Sequence, residues 1–303
     1  DYQATTPLDP EVRAAMLPFL EDRFGNPHSE HKLGWEAAEA VDEARRAVAD
    51  LIGAAPGEII LTAGATEANN LSVMGVAQRT KRRHILVSAI EHKCVLAPAA
   101  ALSKQGFEVQ IIPVDPDGMI DLERLAQLIR PDTALVSVMA ANNEIGTLQP
   151  LKEISALCSE MGALFHSDAA QLAGKRPLDV LALGIDLLSL SAHKFYGPKG
   201  VGALYIARSA RSQLAPIMYG GGQQDGMRPG TLAPMLCAGL AAAAEKAIAQ
   251  QNRDEQHTAA LRARLLSSLR ERIPSIRVNG SEESSLSGCL NIRVPGIDAH
   301  ALL

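Results

Sequence analysis

An aspartate and a lysine stand at the ends of two successive apolar segments of the sequence. Asp168 lies near the end of the segment 163–169, and Lys194 follows the segment 186–192 after one histidine. A carboxylate that closes an apolar strand is costly to bury unless a positive group pairs with it. A lysine buried beside other cations has a lowered pKa, and its neutral amine can form a Schiff base. The alternative for Lys194 is a solvated side chain in a surface loop.

A group of small residues opens a helical pattern after another apolar stretch. The segment 62–67 reads TAGATE. Small residues and a threonine hydroxyl at a helix N-terminus, together with free backbone N–H groups, suit a phosphate. On this segment alone, an ordinary helix capped by Thr66 is the alternative.

Two further polar segments follow apolar stretches. His92, within the segment 91–93 (EHK), suits a base, a metal ligand or a flat surface against a planar ring, or else a hydrogen-bonded structural histidine. Residues 142–146 (NNEIG) place two amides and a carboxylate where the sheet would open, or they form a polar turn built on Asx hydrogen bonds.

Taken together, these residues are the parts needed to hold pyridoxal phosphate. Asp168 would keep the pyridine nitrogen protonated, so that the ring can accept electrons from a substrate carbanion. Lys194 would be the covalent anchor and the proton shuttle, while His92 would stack on the ring. No metal-binding interpretation uses all of the same residues, so we expect no metal.

Seven short apolar stretches alternate with segments of helical spacing. Most of the stretches are continuously apolar, as expected for strands that are covered on both faces. The alternation predicts an open, mainly parallel α/β sheet with its ligand at the carboxyl ends of the strands. The predicted strands are 59–62, 84–89, 108–114, 133–140, 163–169, 186–192 and 201–207, and the predicted helices are 67–78, 95–105, 122–129 and 151–161.

The C-terminal fifth of the sequence differs in pattern. From residue 236 to about 273 it is rich in Ala, Leu, Glu, Arg and Gln, which predicts a long helix that ends before Pro274. Residues 276–278 and 289–294 are strand-like, and 298–303 begin another helix. We expect a large cofactor-binding domain at 11–250 and a second, smaller α+β domain, incomplete here, at 1–10 and 251–303.

Composition limits the class of protein. The net charge is −5 without a basic block, which argues against a nucleic-acid or anionic-membrane partner, and 3% aromatic residues argue against base stacking. No apolar stretch reaches the length of a membrane span. We therefore expect a cytoplasmic protein. Four widely spaced cysteines predict neither a disulfide framework nor a zinc site and are interpreted as packing residues: Cys94, Cys158, Cys237 and Cys289.

In these segments the sequence resembles the cysteine desulfurases, class V of the aminotransferase-like fold type I enzymes that use pyridoxal phosphate. Residues 196–200 (YGPKG) and 228–231 (RPGT) are similar to the first of the family's two groups, which serves housekeeping or nitrogen-fixation iron–sulfur assembly. The resemblance implies a mainly parallel seven-stranded sheet between helices. The matching segments run in order through the chain: 1–7 (DYQATTP), 24–27 (FGNP), 64–67 (GATE), 91–93 (EHK), 142–146 (NNEIG), 168–171 (DAAQ), 191–194 (SAHK) and 220–222 (GGG).

The resemblance also implies a role for each matching residue. Lys194 would carry the cofactor, Asp168 would pair with its pyridine nitrogen, and His92 would stack on its ring and is a candidate for proton transfer. The segment 220–230, taken without the resemblance, is a flexible surface loop. The other implied contacts are Gln171 with the phenolic oxygen, Asn143 with the ring and substrate, Ala65, Thr66, Ser191 and His193 with the phosphate, Asn26 with the substrate carboxylate, and Thr231 with the partner subunit's phosphate in a homodimer.

The activity implied is the conversion of L-cysteine to L-alanine, with sulfur passed as an enzyme persulfide to a scaffold or other sulfur-acceptor protein. In the family, the persulfide cysteine and an arginine that clamps the substrate carboxylate lie C-terminal to the position of residue 303. We therefore expect the sequence to be part of a longer enzyme. The alternatives are a selenocysteine lyase or class V aminotransferase on the same scaffold, and a non-catalytic partner subunit that keeps the fold.

Overall fold

Seven strands form one sheet in the computed structural model, which describes residues 1–302. Their spatial order is β1-β7-β6-β5-β4-β2-β3, and β7 alone runs antiparallel to its neighbours. This confirms the mainly parallel, seven-stranded α/β sheet. The strands are β1 (Ile59–Thr62), β2 (His84–Ser88), β3 (Glu108–Ile112), β4 (Thr133–Ser137), β5 (Leu164–Asp168), β6 (Leu187–Ser191) and β7 (Gly202–Ile206).

Burial along the strands explains their continuous apolarity. Every residue of β1, β2 and β4–β7 is buried, because helices cover both faces of the sheet. The exception is β3 at the sheet edge, where Ile111 is half-exposed.

Helices surround the sheet, and those predicted at 67–78, 95–105, 122–129 and 151–161 are confirmed as α3–α6. Two earlier helices were not predicted. The longer one, α2, buries Ala37, Val41, Ala44 and Val48 at helical spacing and packs against α8. The helices are α1 (Pro10–Met16), α2 (Lys32–Ile52), α3 (Ala65–Arg79), α4 (Lys93–Ser103), α5 (Leu122–Leu128), α6 (Leu151–Met161), α7 (Val180–Leu183), α8 (Pro234–Arg272) and α9 (Ala299–Leu302).

The long helix α8 confirms the helix predicted at 236–273. It passes through residue 250 without interruption, so the expected division of the chain at this position stays a prediction. After it, β8 (Arg277–Val278) and β9 (Ile292–Arg293) form a separate antiparallel pair. The strand predicted at 289–294 is therefore shorter than expected, and Cys289 lies before it rather than within it. Within residues 1–302, no helix combines the length and the apolarity needed to cross a membrane.

Candidate active site

A cleft of about 940 Å³ opens where the parallel strands end. Its walls come from the residues that follow β1, β2, β4, β5 and β6, as expected for a ligand site in such a sheet. Nine of the eleven predicted site residues line this one cleft: Ala65, Thr66, His92, Asn143, Asp168, Gln171, Ser191, His193 and Lys194.

The other two predicted site residues lie outside the cleft. Asn26 is exposed, and its Oδ1 accepts a hydrogen bond from the His28 amide at 3.0 Å, which stabilises a local turn. Thr231 is also exposed. Because its expected contact is with the phosphate of a second subunit, a single chain does not test it. The roles of both residues stay predictions.

Asp168 is the last residue of β5 and is only 5% exposed. Its Oδ1 accepts a hydrogen bond from the Ala170 amide at 2.9 Å, and its Oδ2 accepts one from Asn69 Nδ2 at 2.7 Å. Burial raises the pKa of Asp168, while these two hydrogen bonds and the nearby charge of Lys194 oppose the rise. A carboxylate in this position favours a cationic ligand group beside it.

Asn69 is a site residue that the sequence analysis did not identify. It lies fully buried on α3, and its Oδ1 has no hydrogen-bond partner among the described residues. Its position within the buried run of α3, which includes Ala68 and Leu71, is the signal that could have drawn attention to it. A buried asparagine in such a run needs a polar partner, and here the partner is Asp168.

Lys194 lies in a short 3-10 turn (Ala192–Lys194) directly after β6 and lines the cleft, so it is not the solvated loop residue of the alternative interpretation. Its Nζ donates hydrogen bonds to the main-chain carbonyls of Gln3 at 3.0 Å and Ala4 at 2.9 Å. Burial lowers the pKa of Lys194, and the charge of Asp168 opposes this effect. The side chain is therefore closer to a neutral amine than an exposed lysine would be.

The turn between β1 and α3 is built around Gly64. Its φ of +144° and ψ of −177° belong to a region that only glycine adopts readily. Gly64 is also the N-cap residue of α3, so the capping role considered for Thr66 is wrong. The amide N–H groups of Ala65 and Thr66 have no hydrogen-bond acceptor within the described part of the chain, and Ser191 lines the cleft with them. This arrangement suits an anion.

His92 and Cys94 lie side by side at the start of α4. His92 is the N-cap residue, and its Nδ1 accepts a hydrogen bond from the Cys94 amide at 3.2 Å. The Cys94 thiol lies 2.8 Å from the same nitrogen and 3.9 Å from Asp168 Oδ2. Burial raises the pKa of this thiol to about 11, so it is neutral. His92 thus has a structural capping contact and lines the cleft as well.

In the segment 142–146, one asparagine forms the polar turn considered above and the other lines the cleft. Asn142 Oδ1 accepts hydrogen bonds from the amides of Glu144 at 2.9 Å and Ile145 at 3.0 Å, which makes the expected Asx turn. Asn143, its neighbour, lines the cleft.

Glu91 is a second buried residue without a predicted role. Its Oε1 accepts hydrogen bonds from Ser88 Oγ at 2.9 Å and from the Met139 amide at 2.5 Å, which joins the ends of β2 and β4. Its Oε2 has no partner among the described residues. Burial and the nearby charge of Asp168 raise the pKa of Glu91 to about 8, so this carboxyl holds a proton at neutral pH.

The cleft fits pyridoxal phosphate on three observations. Unpaired amide N–H groups at the N-terminus of α3 suit its phosphate, the buried carboxylate of Asp168 suits a protonated ring nitrogen, and the amine of Lys194 suits its aldehyde. In addition, Gln3 lines the cleft and its buried Nε2 lacks a partner among residues 1–302. A polar ligand is the expected partner for such a group.

Comparison with known proteins agrees with this chemistry. The family model described as aminotransferase class-V matches residues 1–303. The chain is 49% identical to "Cysteine desulfurase IscS" of Rickettsia rickettsii (strain Iowa) over its whole length, and it spans 75% of that protein. It is also 49% identical over its whole length to "Cysteine desulfurase, mitochondrial" of Drosophila melanogaster, of which it spans 66%.

Solved structures give the same result. A protein described as "NifS-like" superposes with a TM-score of 0.95 at 38% identity, and the alignment covers 100% of this chain and 83% of that one. DndA from Streptomyces lividans superposes with a TM-score of 0.88 at 41% identity, covering 99% of this chain and 85% of the other. The chain therefore belongs to the class-V aminotransferase family and, within it, to the cysteine desulfurases, which are pyridoxal-phosphate enzymes.

Proposed function

We propose that this protein takes sulfur from L-cysteine, leaves L-alanine and passes the sulfur to an acceptor or scaffold protein, as in iron–sulfur cluster assembly. The observation that carries the proposal is the placement of Asp168 at the end of β5 and of Lys194 in the turn directly after the neighbouring strand β6, in one cleft with the N-terminus of α3. The names of the related proteins support the choice of L-cysteine as substrate.

Each part of pyridoxal phosphate has residues that would hold it. The Asp168 carboxylate would pair with the ring nitrogen, and His92 would stack on the ring. The amides of Ala65 and Thr66, with the side chains of Ser191 and His193, would bind the phosphate. When bound, the cofactor supplies an electron sink for the negative charge that develops at the substrate α-carbon.

The chain's own residues then move the proton and orient the substrate. Lys194 Nζ would accept the α-proton, because burial lowers its pKa and leaves more of the amine neutral at physiological pH. Asn143 would contact the ring and the substrate, and His92 is a second candidate for proton transfer. Asn26 would bind the substrate carboxylate, and Thr231 would reach the phosphate of the partner subunit in a homodimer.

The sulfur-accepting group is a thiolate, because the thiolate is the nucleophilic form of cysteine. All four cysteines of the chain are buried, and burial raises the pKa of each thiol, to about 11 for Cys94 and about 12 for Cys237. We therefore assign the persulfide to none of them. In our proposal it belongs to the family's cysteine, expected C-terminal to residue 303. The identity of the acceptor protein and the cytoplasmic location remain predictions.

The test is a visible spectrum of the cofactor-loaded protein before and after L-cysteine. We expect yellow absorbance that changes with L-cysteine and not with D-cysteine. An assay of the reaction products separates the candidate enzymes. Production of L-alanine and sulfide identifies a desulfurase, and amino transfer to an oxo acid identifies an aminotransferase. A strong preference for L-selenocysteine identifies a selenocysteine lyase. A protein that binds the cofactor without any of these reactions would be the non-catalytic partner subunit.

A further inference from the structure

Lys175 is a largely buried cation without an acidic partner. It lies in the turns that follow β5, seven residues after Asp168. None of the ion pairs among the described residues includes it. Burial and the nearby charge of Lys194 lower the pKa of Lys175 to about 8. An unpaired charge in such a place costs stability, so its presence calls for a functional explanation.

Among the described residues, the side chain of Lys175 makes one hydrogen bond, to Gln171. Lys175 Nζ donates a hydrogen bond to Gln171 Oε1 at 2.9 Å, and Gln171 Nε2 donates one to the Gln3 carbonyl at 3.0 Å. An ammonium group can only donate and a main-chain carbonyl can only accept. Both contacts therefore require the same orientation of the Gln171 amide, with its oxygen toward Lys175 and its NH₂ group toward Gln3. Gln171 is 4% exposed and lines the cleft.

The backbone fixes the position of Lys175 relative to Lys194. Gly174, directly before it, has a φ of +77°, and a Cβ at this position would lie 2.8 Å from Phe195 Cβ. Since real Cβ atoms do not approach so closely, only glycine allows the turn to pack against the residue that follows Lys194. The segment that carries Lys175 is thus in direct contact with the segment that carries Lys194, the lysine expected to form the Schiff base.

We propose that Lys175 is a positioning residue that holds the Gln171 amide so that its Nε2, a hydrogen-bond donor, is presented to the cofactor's phenolic oxygen. The inference rests on the proposed function, because it needs pyridoxal phosphate in the cleft. A phenolate oxygen accepts hydrogen bonds, and the reverse orientation of the amide would place an acceptor against it. The Gln3 carbonyl favours the same orientation at the NH₂ end of the amide, and Lys175 adds the matching donor at the oxygen end.

The test measures the dissociation constant of pyridoxal phosphate and the absorbance maximum of the bound cofactor in a double-mutant cycle. Lys175→Met, Gln171→Ala and the double variant are compared with wild type, and Lys104→Met on the exposed surface is the control. We expect Lys175→Met to weaken binding by about 3- to 10-fold, the range for loss of one oriented hydrogen bond. In the Gln171→Ala background, the same substitution should change binding less than about 2-fold, because Lys175 acts through that amide.

Stability measurements separate this role from a purely structural one. Urea unfolding should show that Lys175→Met is still folded under the conditions of the binding assay, although Gln171 Oε1 has lost its donor, so a weaker affinity would not reflect unfolding. Wild-type affinity and absorbance in Lys175→Met would overturn the inference, as would an equal weakening with and without Gln171. Those results would leave the proposed function intact if wild type binds the cofactor and responds to L-cysteine. Failure of wild type to bind it would overturn both.

Discussion

The buried carboxyl of Glu91 makes a sharp test of the electrostatics around the cleft. Its pKa is raised from 4.5 to about 8 by burial and by Asp168. Between these values the folded protein holds a proton that the unfolded chain has lost, so stability falls as the pH rises through this window. Glu91→Gln removes the titration. The new amide keeps Oε1 as acceptor for Ser88 and Met139 and replaces the Oε2 atom that lacks a partner.

The size of the effect follows from the difference in pKa. Each pH unit within the window costs the wild type about 1.4 kcal/mol, which over the whole window gives an upper limit of about 5 kcal/mol. We expect the free energy of unfolding of Glu91→Gln, relative to wild type, to rise by about 2–3 kcal/mol between pH 6 and pH 8. The sign is opposite to that of a surface glutamate in an ion pair, whose loss would destabilise the fold.

Urea unfolding of the cofactor-free protein at pH 6, 7 and 8, followed by circular dichroism, measures this difference. Glu245→Gln on α8 is the matched control, because Glu245 is exposed and takes part in none of the ion pairs of the described residues. Parallel pH profiles for Glu91→Gln and wild type would mean that Glu91 is ionised in the folded protein, and the reasoning would be refuted.

Three further substitutions test the cleft. Lys194→Ala should abolish the absorbance of covalently bound pyridoxal phosphate and turnover of L-cysteine; a variant retaining both would contradict our assignment. Asn69→Leu removes the hydrogen bond to Asp168, so cofactor affinity, measured by fluorescence titration at pH 8, should fall about 10-fold. Gly64→Ala should lower the free energy of unfolding in urea by about 1–3 kcal/mol because of its φ, whereas Gly57→Ala, where a Cβ meets nothing within 4 Å, should not.

The architecture was predictable because parallel strands buried on both faces leave a strong pattern in the sequence. The run 59–62 coincides with β1, and 163–169 contains β5 with one extra residue at each end. The site followed from the same rule, since polar residues after such runs meet at one edge of the sheet. That is how Asp168 and Lys194, 26 residues apart, were expected together and are found in one cleft.

What could not be predicted depends on which residues face one another across the fold. Asn69 is 99 residues from Asp168 in the chain, and nothing local marks it as the partner of that carboxylate. Glu91 looks like an ordinary charged residue until the ends of β2 and β4 enclose it. Likewise, only the three-dimensional structure shows that Lys175 is largely buried and has no acidic partner among the described residues. In contrast, the helical spacing of α2 was present in the sequence and could have been used.

The contact between Lys194 and the N-terminal segment uses only the peptide oxygens of residues 3 and 4. A side-chain substitution does not remove a main-chain carbonyl oxygen. Substitutions at these two positions therefore leave both hydrogen bonds of Lys194 Nζ in the cofactor-free protein unchanged. Only a change in the path of the backbone there would release it. Substitutions at position 4 should therefore leave this contact intact, whereas at position 3 any loss should come from the Gln3 side chain in the cleft and not from the contact with Lys194.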